Sequence, residues 1–201
     1  TPALADHAAK TGHLTKIVAM LANPALPRQA AAVGVVDVLA GSRLCAEALA
    51  ATPATARALV EAAEADPTHA MMHAVDALGR ALENSSCGGD TCCLVAQLLG
   101  DISSSSSSSE GSDGVDDGDG RISGDRGDGE GERAPVDALL GLLGGKHDLA
   151  LGTDAPEAKA RVVTALQHAA EDALHGPRLR AVLGRSSVWA SYRGMRHDLF
   201  L

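Results

Sequence analysis

Four groups of residues in this sequence have the types and spacing that chemistry needs. Val115-Asp116-Asp117-Gly118-Asp119-Gly120-Arg121-Ile122-Ser123 sets Asp117, Asp119, Gly120 and Ile122 at positions three, five, six and eight of an EF-hand calcium loop. Positions one and twelve would then be Val115 and Arg126, where the ion requires carboxylates, and serine and glycine flank the stretch. Calcium binding is not expected. His69 and His73 lie four apart, a helical spacing that suits a metal ion, but no third ligand stands in convincing context. His197-Asp198, with Ser186, Ser187 and Ser191 nearby, has the components of a hydrolase triad without a nucleophile elbow or an oxyanion loop. The serine run at 103–109, followed by Glu110 and Asp113, has the pattern of an acidophilic kinase substrate, and each phosphate would add about −1.5 to −2 charges there. The plainer reading of that run is an inert spacer. With no phosphate loop, dinucleotide fingerprint or kinase signature, the chain is expected to be a non-enzyme with no cofactor and no bound metal.

The elements that must position these groups read as helices throughout. Leu14, Ile17, Val18 and Leu21 recur at i, i+3, i+4 and i+7, one apolar helix face that stops near Asn23-Pro24. Helices are predicted over 27–40, then over a short stretch capped by Ser42, from Thr52-Pro53 to Asp66-Pro67, and from Pro67 or Thr68 to about Leu82. After Ser85-Ser86-Cys87-Gly88-Gly89 a helix holds Cys93, Leu94, Ala96, Gln97 and Leu98. Order resumes at Ala134-Pro135 with a short helix through Leu143. The strongest helix follows, from Ala155-Pro156 to about Leu174, and Gly176-Pro177 opens another that leads into the C-terminus. Valine and isoleucine never alternate with polar residues for long, so no strand is predicted.

The dipeptides Ile17-Val18, Leu59-Val60, Leu94-Val95 and Leu139-Leu140 mark similar short apolar helices, 42, 35 and 45 residues apart. That ragged spacing lies near the ~40–47-residue period of armadillo and HEAT units, which stack because no unit can bury its apolar face alone. The fold expected is all-α, an armadillo/HEAT-like helical-repeat solenoid. It divides into armadillo-like repeats over 1–100, a disordered acidic insert over 101–133, and a terminal repeat with an aromatic cap over 134–201. The insert is serine, glycine and aspartate, and nothing in it offsets an ordering cost of roughly 1–2 kcal/mol per residue. It holds ten acidic and three basic residues, so −7 of the chain's net charge of −9 belongs to it. No basic stripe suggests nucleic acid, and no apolar run approaches the ~18 residues of a membrane span. The chain opens on Thr1, which suggests a fragment or a processed product. Cys45, Cys87, Cys92 and Cys93 follow no disulfide or zinc spacing and read as reduced thiols used as small apolar residues.

Every aromatic ring in the chain lies near its end: Trp189, Tyr192 and Phe200. Elsewhere the apolar residues are mainly alanine, leucine and valine, so these rings are the largest apolar groups available. Trp189 and Tyr192, three apart on a helical turn, are expected to plug the open end of the helical stack. The competing reading is an exposed hook for a partner protein.

Arg185-Ser186-Ser187-Val188-Trp189-Ala190-Ser191-Tyr192, followed by His197-Asp198-Leu199-Phe200, resembles the C-terminal part of the large endosomal J-domain proteins of receptor-mediated endocytosis, the DnaJ homologue subfamily C member thirteen family. Gly12-His13-Leu14-Thr15-Lys16 and Ala158-Lys159-Ala160-Arg161-Val162-Val163-Thr164-Ala165-Leu166 agree in order and approximate spacing. The resemblance covers nearly the whole chain except 101–133. Thr15 stands where relatives tend to have proline, relatives usually continue beyond Leu201 into a polar tail, and no His-Pro-Asp tripeptide is present. The resemblance implies a non-catalytic scaffold, with the J domain upstream. It also implies work with the heat-shock cognate chaperone on clathrin and with retromer-linked sorting, peripherally on endosomes in the cytoplasm. Trp189, Tyr192, His197, Asp198, Leu199 and Phe200 are then the candidate cap or protein-contact residues. The alternative is a generic helical-repeat adaptor that has no J domain.

Overall fold

The computed structural model describes residues 7, 11, 13–21, 26–85, 93–100 and 133–192, and among these the regular structure is entirely helical. In chain order the helices are α1 (His13–Leu21), α2 (Leu26–Ala40), α3 (Arg43–Ala51), α4 (Thr55–Ala65), α5 (Met71–Asn84) and α6 (Leu94–Leu98). They continue with α7 (Pro135–Leu143), α8 (Asp148–Leu151), α9 (Ala155–Ala170), α10 (Gly176–Arg185) and α11 (Ser187–Tyr192). A 3₁₀ turn, Gly152–Asp154, joins α8 to α9. The all-α expectation is met. The reading of 101–133 as disordered lies, up to 132, outside the described residues.

Helix starts follow the sequence punctuation. Pro135, Pro156 and Pro177 each stand in a first turn, where a missing N–H leaves no intrahelical bond unmade. Before α5, Asp66 does the same work with its side chain. Its Oδ1 accepts from the Thr68 hydroxyl at 2.9 Å and from the His69 backbone N–H at 3.1 Å, closing the turn that leads into the helix. Ser42 occupies the N-cap position of α3 but makes no side-chain cap bond there. Helix α9 ends at Ala170, four residues before the expected Leu174. Asp172 accounts for the difference, because its Oδ1 accepts from the N–H groups of Leu174 and His175 and turns the chain out of the helix.

Helix α5 is the centre of the fold and packs against α2, α3, α4 and α9. Met71, Ala74, Val75 and Leu78 form its buried i, i+3, i+4, i+7 stripe, which Ala77 and Ala81 widen. Such small residues let neighbouring helices approach closely, which is how an alanine-rich chain fills its interior. The α4 helix buries seven of its residues, from Thr55 to Ala63, between α5, α6 and α7. One core cluster runs from Leu14 in α1 to Trp189 in α11, so the helices before and after the insert share an interior. The chain leaves at Gly100 and returns beside it: a Cβ built on Gly100 would lie 3.6 Å from that of Ala134.

One cysteine reading is corrected. Cys45 is a buried thiol outside any disulfide, as expected, but Cys93 is disulfide-bonded. The spacing of Cys87, Cys92 and Cys93 reports distance along the chain, whereas disulfide formation depends on Cα separation in space.

Candidate functional site

The aromatic terminus is built from a six-residue helix, too short to hold itself. Ser186 starts it by accepting the Trp189 backbone N–H on Oγ at 3.2 Å, the bond by which an N-cap serine satisfies the third helical N–H. Trp189 is then carried into the core and keeps only 9% of its surface exposed. Tyr192, one turn on, is half-buried, and its hydroxyl donates at 3.1 Å to the carbonyl of Leu143 at the end of α7. That carbonyl is among the last of its helix and has no intrahelical donor, so the tyrosine closes α7 as well as α11. Helix α11 packs on α7 and α10, and Val188 packs against the core at its edge. Trp189 is thus buried and Tyr192 half-buried against α7. His197, Asp198, Leu199 and Phe200 lie outside the described residues.

The two histidines at helical spacing, His69 and His73, have separate partners. His69 Nδ1 lies 3.2 Å from Asp66 Oδ1, and His73 Nδ1 lies 2.9 Å from Asp37 Oδ2. Among the described residues no group of three histidines, cysteines or carboxylates gathers at a point that could hold a metal. Of the serines grouped with His197 and Asp198, Ser186 is occupied as the N-cap, and Ser187 and Ser191 are exposed.

Three polar arrangements are not apparent from sequence spacing. Asp37, the single acid between Ala30 and Ala40 of α2, is buried and binds His73 and Arg80 of α5, the guanidinium at 3.2 Å from Oδ1. On the other flank of α5, Asp76 pairs with Arg161 of α9, which also pairs with Glu157. Helix α5 is thus tied by ions to both of its long neighbours. The third is Gln97, buried in α6. Its Oε1 accepts from Ala56 N–H at 3.0 Å, and its Nε2 donates to the carbonyls of Ala50 and Thr52 at 3.0 and 3.1 Å. These three bonds hold the turn between α3 and α4. A lone aspartate in a valine-rich helix and a lone glutamine in an apolar one were the available signals. Their partners lie 36 or more residues away.

Among the described residues the ionisation of Asp66 is displaced. Burial pushes its carboxyl upward, but the bonds from Thr68 and His69 outweigh it and hold it below the usual aspartate value.

Two of the grooves on the helical surface lie between pairs of core helices and are rimmed by charged residues. One, of about 550 Å³, runs between α5 and α9 over a floor of Val75, Gly79, Ala160 and Ala165. It shares Glu83 and His168 with a second depression of about 410 Å³ towards Glu171 and Asp172. The other groove, of about 230 Å³, lies between α4 and α7 and is spanned by the ion pair of Lys146 with Glu64. No helix among the described residues is long and apolar enough to cross a membrane. No family model matches the chain, and no curated protein and no solved structure is similar to it.

Proposed function

We propose that this chain is a non-catalytic scaffold segment from the C-terminal part of an endosomal J-domain co-chaperone, an armadillo/HEAT-like stack that binds proteins along its helical surface. The observation that carries the scaffold reading is the succession of long helices α2, α5 and α9, with α5 packed between the other two. Helices α2 and α5 begin at Leu26 and Met71, 45 residues apart, within the ~40–47-residue period of such repeats. Among the described residues each long helix follows shorter ones. The endosomal part rests on the terminal motif from Arg185 to Tyr192 and on His197-Asp198-Leu199-Phe200. On this reading the heat-shock cognate chaperone engages an upstream J domain, and the segment serves receptor-mediated endocytosis, clathrin dynamics and retromer-linked sorting on the endosome surface.

The test is the native transcript on both sides of the segment, followed by localisation of the tagged full-length protein. A His-Pro-Asp-bearing J domain with further helical repeats, on a protein that decorates endosomes, is the expected result. A start codon close to Thr1 with no J domain withdraws the endosomal assignment and leaves a helical-repeat adaptor.

A further inference from the structure

We propose that the groove between α5 and α9 is the docking surface of this scaffold, and that its occupant is a lysine- or arginine-rich segment of a partner protein with small apolar residues between the charges. The inference deepens the scaffold reading and does not depend on the endosomal assignment.

The floor and the rim argue separately. The floor is small and apolar: a Cβ built on Gly79 would meet that of Ala165 at 3.7 Å, so the two helices run close and leave a shallow trough above them. Side chains of alanine to valine size fit such a trough. The rim is acidic. Asp76, Glu83, Glu157, Glu171 and Asp172 line the joined depressions against two guanidiniums, Arg80 and Arg161, a net of −3 among these seven residues. Both guanidiniums are already engaged, Arg80 by Asp37 and Arg161 by Asp76 and Glu157. The carboxylates of Glu83 and Glu171 make no ion pair with any described residue. The field in this groove therefore favours cations and repels acids.

The α4/α7 groove supplies an internal comparison. Arg57, Arg133 and Lys146 there face Glu61, Glu64 and Asp137, three charges of each sign, and Lys146 bridges it to Glu64. That groove is charge-balanced and half the volume or less. A basic segment has reason to choose α5/α9 over it.

The test uses the full-length native protein and a fluorescein-labelled twelve-residue peptide of alternating lysine and alanine, with a glutamate-for-lysine peptide as control. Fluorescence anisotropy is read at low and physiological salt. Saturable binding of the lysine peptide alone, weakening with salt, is expected. Charge reversal of the two exposed rim residues, Glu83→Lys with Glu171→Lys, should weaken it about tenfold, from about half that energy lost at each exposed site. Glu61→Lys in the other groove should leave it unchanged. The proposal is overturned by no saturable binding below millimolar peptide, by equal binding of the glutamate peptide, or by equal losses in the Glu61 and Glu83/Glu171 variants. A missing J domain would leave this result standing, so the two readings fail separately.

Discussion

Replacing Trp189 with alanine tests whether the aromatic terminus is a plug or a hook. An aromatic side chain buries roughly 150–250 Å², and at ~25 cal/mol per Å² a tryptophan near the upper end contributes about 5–6 kcal/mol. The ring keeps 9% of its surface exposed, so nearly all of that is realised. Alanine retains part of it, which leaves an expected loss of about 4 kcal/mol, inside the ~3–5 kcal/mol found when core aromatics are truncated. For a chain of this size ~2–4 °C accompanies each kcal/mol, so the melting temperature should fall by about 8–16 °C. Circular dichroism at 222 nm is the suitable probe, because the variant has no tryptophan to report by fluorescence. Tyr192→Phe separates the hydrogen bond from the ring and should cost about 1 kcal/mol through the Leu143 carbonyl. An unchanged melting temperature in the Trp189 variant, together with lost partner binding, would refute the plug and make the terminus an exposed hook.

Gln97→Leu preserves the volume of the side chain but strands Ala56 N–H and the Ala50 carbonyl, while the Thr52 carbonyl keeps the Thr55 hydroxyl, so urea unfolding should show a loss of about 2–3 kcal/mol. Two glycines should respond with opposite signs in thermal melts. Gly79→Ala adds a methyl at ordinary contact distance inside a helix and should stabilise by about 0.5–1 kcal/mol. Gly176→Ala would place its Cβ 2.6 Å from the Ala170 carbonyl oxygen and should destabilise by about 1–3 kcal/mol. The lowered ionisation of Asp66 contributes stability that is full above the unfolded aspartate value near 3.8 and is lost as pH falls through the lower folded value. Asp66→Asn should therefore flatten the fall in melting temperature below about pH 4, and an unaltered acid limb would refute the assignment.

Much of the helical layout was legible because proline marks where helices open and a 3.6-residue apolar period marks which face is inward. The stop of α9 was not, since it depends on a carboxylate at Asp172 capturing two N–H groups that a continued helix would have used. Helix α8 was missed for a related reason: four residues are too few for a period to appear. The helical turn that carries Trp189 and Tyr192 was legible in their spacing, but the acceptor of the Tyr192 hydroxyl, Leu143, lies 49 residues back. The α5/α9 groove was hidden entirely. Its character comes from which charges are spent on neighbours, and pairs such as Asp76 with Arg161 span 85 residues.

The closeness of Gly100 to Ala134 has a consequence for how this chain can change. Ends this close need no minimum span to join them, and for a flexible linker the closure cost grows by only about 0.6 kcal/mol for each doubling of length. A variant with about eight flexible glycine and serine residues in place of 101–132 can therefore join Gly100 to Ala134 with both helical flanks in register. Sequence can be added or removed at this junction, as a tag or a reporter, without changing the distance that the core has to bridge.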